Sequence, residues 1–394
     1  MKKLLIITDM YPDISDPVNG VFVQQQAIAL ARYYQVMVIA TSFSHPYQIA
    51  RTNAHGIPVV YIYYPIPRFA HVLSTVSYRI LCIPIISEEI SDFAPDIIHV
   101  HDCRHYPELY CLSSLLHRFK RNNYLTLHNI RTHPREIANP ITRIVYRVTL
   151  RIALQGWTKI FTVNRQLADL VSKYGTHCDT SVLGNAIVSS AVLAKALKSE
   201  SSCRVLEFIA KVDETPNALK LISVGNLVPS KGFDLLLSAL ADVKSKGIEF
   251  FQVIIGAGES EKELNSLIHT LGLQDCVLLA GQIPNEEVRS LYKYFDTFVL
   301  PSWKETFGIV YLEAMEAGLL TVGVRGQGID GVIRDKENGF LISPHDITAI
   351  SDIIIDIARN MAQYAEIREN AKRTVAGGYL MDVLISKLKD EYDA

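Results

Sequence analysis

The sequence predicts an α/β protein made of two doubly wound, largely parallel-sheet domains, and three observations carry that prediction. Short, continuously apolar runs recur along the chain at a spacing that leaves room for a helix between them. Such runs are expected of parallel strands covered on both faces. The β–α alternation passes through the chain twice, with a strand-poor stretch at 186–218 between the passes. Finally, 394 residues exceed what one ordinary hydrophobic core organises.

In chain order, the first pass offers strands LLIIT (4–8), VMVIA (36–40), VVYIY (59–63), IIHVH (97–101), YLTLH (124–128), KIFTV (159–163) and TSVLG (180–184). The second offers LKLISVG (219–225), residues 250–255 with Gly256, CVLLAG (276–281), TFVLP (297–301) and LTVGV (320–324). Helical patterns fill the gaps, as at 22–33, 233–246 and 259–271. The hinge is expected at 185–187, giving domains 1–186 and 187–374. The tail 380–394 carries Leu380, Val383, Leu384 and Leu388 on one helical face. A C-terminal helix over 375–394 is therefore expected, crossing back to the first domain.

Composition narrows the function classes. The formal net charge of −2 leaves no electrostatic footprint for nucleic acid. Six cysteines (82, 103, 111, 178, 203, 276) lie scattered without a CxxC pair, which fits reduced thiols better than disulfides or zinc. The apolar run after Lys2 and Lys3 is interrupted by Asp9 and Pro12, short of the ~7–15 apolar residues of a signal peptide, and reads as a first strand. No segment reaches the ~20 apolar residues that span a bilayer. A cytoplasmic protein is expected, at most resting on the inner face of the cell membrane.

The chemistry concentrates in 301–316, PSWKETFGIVYLEAME, where a strand hands over to a helix beginning near Phe307 and Gly308. In open α/β sheets ligands bind at such handovers. The free N–H groups and positive dipole end of a helix suit a phosphate, while Glu305 and Glu313 suit the hydroxyls of a sugar. Residues 222–232, ISVGNLVPSKG, supply a second strand-to-helix loop with Gly225, Lys231 and Gly232. There a lysine can neutralise phosphate and a glycine allows close backbone approach. Glycine turns follow at 254–259 (IIGAGE), at Gly281 and at 326–331 (GQGIDG). The GxG at 256–258 lacks the full dinucleotide fingerprint, so an oxidoreductase is a poor reading.

The order of these motifs over 219–345 resembles the donor-binding half of family-4 retaining glycosyltransferases with the GT-B fold, in which two Rossmann-like domains face a cleft. Weaker matches lie at 11–20 with Gln24 to Gln26, PDIIHVH (95–101), TLHN (126–129) and LGNAI (183–187). The resemblance implies a nucleoside-diphosphate sugar as donor and a saccharide or lipid-linked saccharide as acceptor, with no further cofactor and no metal. Glu305 is then implied to hold donor-sugar hydroxyls, and Glu313 the ribose. The N–H groups of Phe307, Gly308 and Ile309, with Lys231 and Gly225, would meet the diphosphate. Gly20 would let the N-terminal loop approach it, and His128 would sit by the breaking bond.

Two positions depart from the family pattern. Asn226 stands where an arginine is usual, and Arg325 is the nearby cation that could replace its charge. Asp330 stands where glutamate is more common. The GQGIDG variant resembles enzymes of bacterial surface-polysaccharide assembly. A GT-B sugar-nucleotide epimerase and an inactive sugar-nucleotide-binding subunit remain alternatives.

Other histidines read as structural. His99 and His101 share one side of a strand without an evident third metal ligand, and His105 and His133 carry no motif. Two stretches could rest on an anionic membrane. In 141–155, Arg143, Arg147 and Arg151 recur every four residues beside Ile144, Val148 and Ile152. Region 59–86 is rich in aromatics (Tyr61, Tyr63, Tyr64, Phe69, Tyr78) with Arg68 and Arg79.

Overall fold

The computed structural model describes all residues except 15, 17–18, 44–45, 66–74, 103–105, 120–121, 130–139, 175–177, 194–195 and 213–217. His105, His133, Cys103, Arg68 and Phe69 therefore lie outside the described residues. The chain divides into two compact units, Met1–Asn185 with Leu384–Ala394, and Ala186–Val383.

The first unit runs β1 (Lys3–Thr8), α1 (Val21–Leu30), β2 (Gln35–Phe43), β3 (Gln48–Ala54), β4 (Ile57–Tyr64), α2 (Ile83–Phe93), β5 (Ile97–Asp102), α3 (Tyr106–Leu116), β6 (Asn122–Leu127), α4 (Pro140–Ala153), β7 (Lys159–Thr162), α5 (Arg165–Lys173) and β8 (Asp179–Val182). Its eight strands lie in the order β3-β4-β2-β1-β5-β6-β7-β8. Every pairing is parallel except β3 with β4. The central strand β1 is apolar and fully buried from Leu4 to Ile7, as a strand covered by helices on both faces must be. The core packs Leu5, Ile7, Ile39, Val100 and Leu125 against Ile86 of α2, Leu112 of α3 and Leu150 of α4.

The second unit runs α6 (Ser190–Leu193), α7 (Glu200–Val212), β9 (Leu219–Val224), α8 (Phe233–Ser245), β10 (Phe250–Ile255), α9 (Glu261–Thr270), β11 (Val277–Gly281), α10 (Asn285–Leu291), β12 (Thr297–Val299), α11 (Ile309–Ala317), β13 (Leu320–Val324), β14 (Phe340–Ile342), α12 (Ile347–Asn360) and α13 (Ala365–Gly378). Helix α14 (Met381–Asp393) begins in this unit, and its residues from Leu384 onward belong to the first. The six strands lie in the order β11-β10-β9-β12-β13-β14, all parallel.

In this sheet β9 and β12 are neighbours, while the chain leaves β9 towards β10 and leaves β12 towards β13. The winding therefore reverses between them, and the loops after both strands emerge at the carboxyl edge where ligands bind in such sheets. In the first sheet the same reversal falls between β1 and β5.

Three elements differ from the sequence-based expectation. The edge strands β3 and β14 were not anticipated, and the tail is two helices rather than one. Helix α13 ends at Gly378, Leu380 makes a bridge to Ile187, and α14 follows. The division between units falls after Val383.

Candidate functional site

In the second unit the loops after β9, β12 and β13 converge on Glu305. Lys231 ends a short 3₁₀ turn, Pro229–Lys231, and its Nζ donates to Oε2 of Glu305 at 2.5 Å. Both side chains are largely shielded, 19% and 12% exposed. The backbone N–H of Trp303 and the hydroxyl of Ser302 both donate to the carbonyl of Ser230, joining the two loops. From the third loop, Gln327 Oε1 accepts the Glu305 N–H at 3.1 Å, and the Gly328 N–H donates to the Glu305 carbonyl at 2.9 Å. Glu305 is therefore fixed through its backbone N–H and C=O by the third loop, and its carboxylate by the lysine.

Helix α11 starts beside this pair. Gly308 is its N-cap, with φ of 80°, and a Cβ there would lie 2.5 Å from the Tyr311 ring, so only glycine fits. Its first N–H groups lack intrahelical partners, which makes the helix start an anion site in character. Gly225 is different. A Cβ there would make only ordinary contacts, 3.7 Å to Phe233 and 3.8 Å to Lys231. Packing within the chain does not require glycine at this position, whereas a ligand seated against the backbone beside Lys231 would.

Glu313, four residues into α11, is 4% exposed. Its Oε1 accepts from Asn285 Nδ2 at 3.0 Å, the Tyr292 hydroxyl donates to Oε2 at 3.4 Å, and Arg289 Nη1 lies 3.9 Å away. Arg289 also donates to Glu316 at 2.5 Å. Burial raises the pKa of Glu313, with Arg289 and the two hydrogen bonds opposing.

In the first unit three buried histidines form a row. His99 and His101 project from the same side of β5, their rings stacked with centroids 4.3 Å apart. His128 follows β6, the neighbouring strand, and its Nε2 lies 2.9 Å from Nδ1 of His101. The Tyr392 hydroxyl bonds Nδ1 of His99, and Nε2 of His99 bonds Thr126 Oγ1 at 2.7 Å. Phe22, from α1, packs on His128 with ring centroids 4.7 Å apart. Burial lowers the pKa of His101 to about 3, and burial with the neighbouring His101 holds His128 well below the ordinary histidine range. Gly20, the N-cap of α1 with φ of 68°, closes the loop after β1 so tightly that a Cβ would meet the Met10 carbonyl at 2.3 Å.

A family model described as glycosyl transferases group 1 matches residues 206–374, and one described as Glycosyltransferase Family 4 matches residues 20–190. Between them the two matches take in most of the chain, and each half is similar to a glycosyltransferase family. Among curated relatives, a putative colanic acid biosynthesis glycosyltransferase, WcaL, of Salmonella typhimurium is 29% identical over 147 residues, 36% of each chain. The amylovoran biosynthesis glycosyltransferase AmsK of Erwinia amylovora is 30% identical over 161 residues, 39% of this chain and 40% of the relative. These matches thus span about four-tenths of either relative's length. The crystal structure of Anabaena Alr3699/HepE in complex with UDP superposes with a TM-score of 0.74 at 19% identity, covering 100% of both chains. Two parallel-sheet α/β domains of GT-B type are accordingly the fold, as the sequence predicts.

In the second unit, Lys231, Glu305, Gly225 and the Phe307–Gly308–Ile309 turn meet at one sheet edge. Asn226 is exposed beside them, at the loop's surface. Arg325 is placed otherwise: its Nη2 pairs with Asp335 at 2.8 Å and donates to the Leu341 carbonyl. It lines a groove of about 740 Å³ with Phe340 and Tyr364, to which neither Lys231 nor Glu305 contributes. Asp330 accepts the Gly326 N–H at 2.6 Å and so shapes its own turn.

Sequence reasoning missed Asn285, Arg289 and Tyr292, the partners of Glu313. Their spacing of four and three residues, which puts them on one side of a helix, was the available signal. It also left His101 unlinked to His128. Of the two candidate membrane stretches, Tyr61, Tyr64 and Tyr78 are core residues. Helix α4 instead exposes Ile144, Val145, Val148 and Ile152, at 62%, 49%, 52% and 45%.

Proposed function

We propose that this protein transfers a sugar, with retention of anomeric configuration, from a nucleoside-diphosphate sugar to an acceptor hydroxyl during assembly of a bacterial surface polysaccharide. The observation that carries the reading is the convergence of Lys231, Glu305 and the start of α11 at the point where the second sheet reverses its winding. The pathway rests on the names of the colanic acid and amylovoran relatives, and the donor class on the UDP bound to Alr3699/HepE.

In this reading the second unit holds the donor and the first the acceptor. The leaving diphosphate gains negative charge as the glycosidic bond stretches towards an oxocarbenium-like state. Lys231 and the unpaired N–H groups of α11 oppose that charge more strongly in the transition state than before it, which is what accelerates the step. Glu305 orients the sugar hydroxyls and Glu313 the ribose, and Gly20 admits the first unit's loop to the ligand. His128 acts at the sugar. The departing phosphate assists deprotonation of the acceptor, so front-face displacement needs no covalent nucleophile. Arg325 is left out of the donor grip because Asp335 holds its guanidinium.

Helix α4 suits a lipid-linked acceptor. It carries three arginines and no acidic residue, and Arg147 and Arg151 are exposed along the apolar ridge. No helix among the described residues is long and apolar enough to cross a membrane, so the contact would be peripheral.

A panel of UDP-, GDP- and ADP-sugars tests the donor reading. One family of nucleotides should raise thermal stability, by about 2.7 kcal/mol at 100 times its dissociation constant. It should also release its sugar in the presence of acceptor. No response to any member defeats the proposal.

A further inference from the structure

The first unit holds a pocket of about 180 Å³ lined by Arg79, Ile83, Cys111, Ser114, Leu115 and Arg118. That is room for several waters at ~30 Å³ each. Arg79 comes from a five-residue π-helical turn, Tyr78–Cys82, a geometry that is rare and often marks functional sites. Tyr78 and Cys82 anchor the turn in the core, 1% and 0% exposed, while Arg79 and Ile80 between them are exposed. Arg118 arrives from the turn that closes α3. Helix α3 packs against both the π-helical turn and α4.

Neither guanidinium makes a hydrogen bond or ion pair among the described residues. Elsewhere Arg51 pairs with Glu89, Arg289 with Glu316, Arg325 with Asp335 and Arg334 with Glu337. No carboxylate is among the described residues that line the pocket. The sequence holds no Asp or Glu at 66–82 or 109–126, and 117–121 reads HRFKR. Glu108, just before the second of these stretches, is 3% exposed and accepts from the Tyr64 hydroxyl at 2.7 Å. Burial raises the Cys111 thiol to about 11, so it adds no negative charge. Ser114 donates its hydroxyl proton to the Tyr110 carbonyl at 2.8 Å, which leaves the guanidiniums as the donors facing the pocket. Two like charges facing one small pocket repel, and an anion between them turns that repulsion into attraction.

The donors select the anion. A single guanidinium fork satisfies a carboxylate, whereas a phosphate presents oxygens enough for two forks at once and more charge for them to share. We propose that this pocket binds the phosphate of a phosphate ester, gripped between Arg79 and Arg118. The same chemistry serves a lipid headgroup and a soluble ester. Val76 and Ile80, 47% and 64% exposed beside Arg79, offer apolar surface to the body of such a molecule. The site is built from the first unit alone and does not depend on Lys231 and Glu305 holding a sugar nucleotide.

The test follows the arginine Nε–H signals of the full chain by nitrogen-15 NMR as glycerol 3-phosphate is added, with sodium chloride at equal ionic strength as the control. The expected result is one saturable transition shared by Arg79 and Arg118, whose signals are assigned by their loss in Arg79→Gln and Arg118→Gln, and absent with chloride. Each variant should move the midpoint of the remaining arginine's titration about tenfold or more, the low end for a hydrogen bond to a charged group. Both residues are exposed, and unchanged amide spectra away from the pocket check that the fold is kept. No saturable response to the ester, the same response to chloride, or one arginine responding without the other overturns the proposal. Sedimentation with vesicles of phosphatidic acid in phosphatidylcholine then separates the sources. Vesicle binding that both variants weaken by a similar factor supports the site with a lipid as carrier. The ester transition without such binding supports it with a soluble phosphate ester.

Discussion

In the first unit three buried histidines stay neutral, whereas in the second a buried carboxylate and guanidinium, Glu313 and Arg289, stay paired. His99 bonds Tyr392 and Thr126, His101 bonds His128, and burial drives all three towards the uncharged form. Glu313, within α11, faces the Arg289 guanidinium, which also pairs with Glu316. The difference matches the two tasks proposed. A site for a diphosphate needs fixed charge and rigid support for it, while a site that handles hydroxyls is served by neutral donors and acceptors.

The sharpest way to break this comparison is to remove one member of the charged set. Arg289→Ala leaves Glu313, and the partly buried Glu316, without their guanidinium. Breaking such a buried pair costs about 3–5 kcal/mol. Urea unfolding followed through the second unit's amides should show that loss, and a change below about 1 kcal/mol would mean that Asn285 and Tyr292 suffice.

Acid should separate the units with opposite signs. The three histidines have folded pKa values below their unfolded one of about 6.5. Their contribution is complete above that pH and is lost as pH falls, because the unfolded chain takes up protons the folded one refuses. A histidine kept neutral costs at most about 1.4 kcal/mol per pH unit below that point, so the first unit should weaken between pH 7.5 and 5.5. Glu313 works in reverse. Its raised pKa means that its burial penalty is absent below the ordinary carboxylate range and appears as pH rises through the folded value. Hydrogen exchange at pH 7.5 and 5.5 should therefore show β5 and β6 losing protection before β9 and β12. Equal loss in both units contradicts the account.

The smallest effect concerns the surface. If α4 rests on anionic lipid, Arg147→Gln and Arg151→Gln should each weaken binding to phosphatidylserine vesicles by about 1 kcal/mol. Wild-type protein that ignores such vesicles ends the membrane reading.

Much of this comparison could be read in the sequence, and the gaps have physical causes. The central strands announce themselves because burial on both faces demands unbroken apolar runs. Strand β3, QIARTNA, escapes because an edge strand with mostly exposed residues needs no such run, and β14 because three residues make no pattern. The break before α14 was legible in Gly377 and Gly378, yet the apolar period of the tail continues across it. Lys231 and Glu305 were found by loop chemistry. Their 2.5 Å contact, however, depends on β9 and β12 being neighbours, which spacing along the chain does not express. His101 and His128 were separated for the same reason, since their pairing is a property of β5 beside β6. Arg325 looked available because charge alone was counted, and its partner Asp335 lies ten residues on.

The central claim, that the second unit grips a diphosphate through Lys231 beside Glu305, is tested most directly by titrating the responsive nucleoside diphosphate into wild-type protein and Lys231→Ala by calorimetry. The account predicts a loss of about 1.5–3 kcal/mol, the range for a hydrogen bond to a charged group, with the fold intact. Unchanged affinity in Lys231→Ala would contradict it.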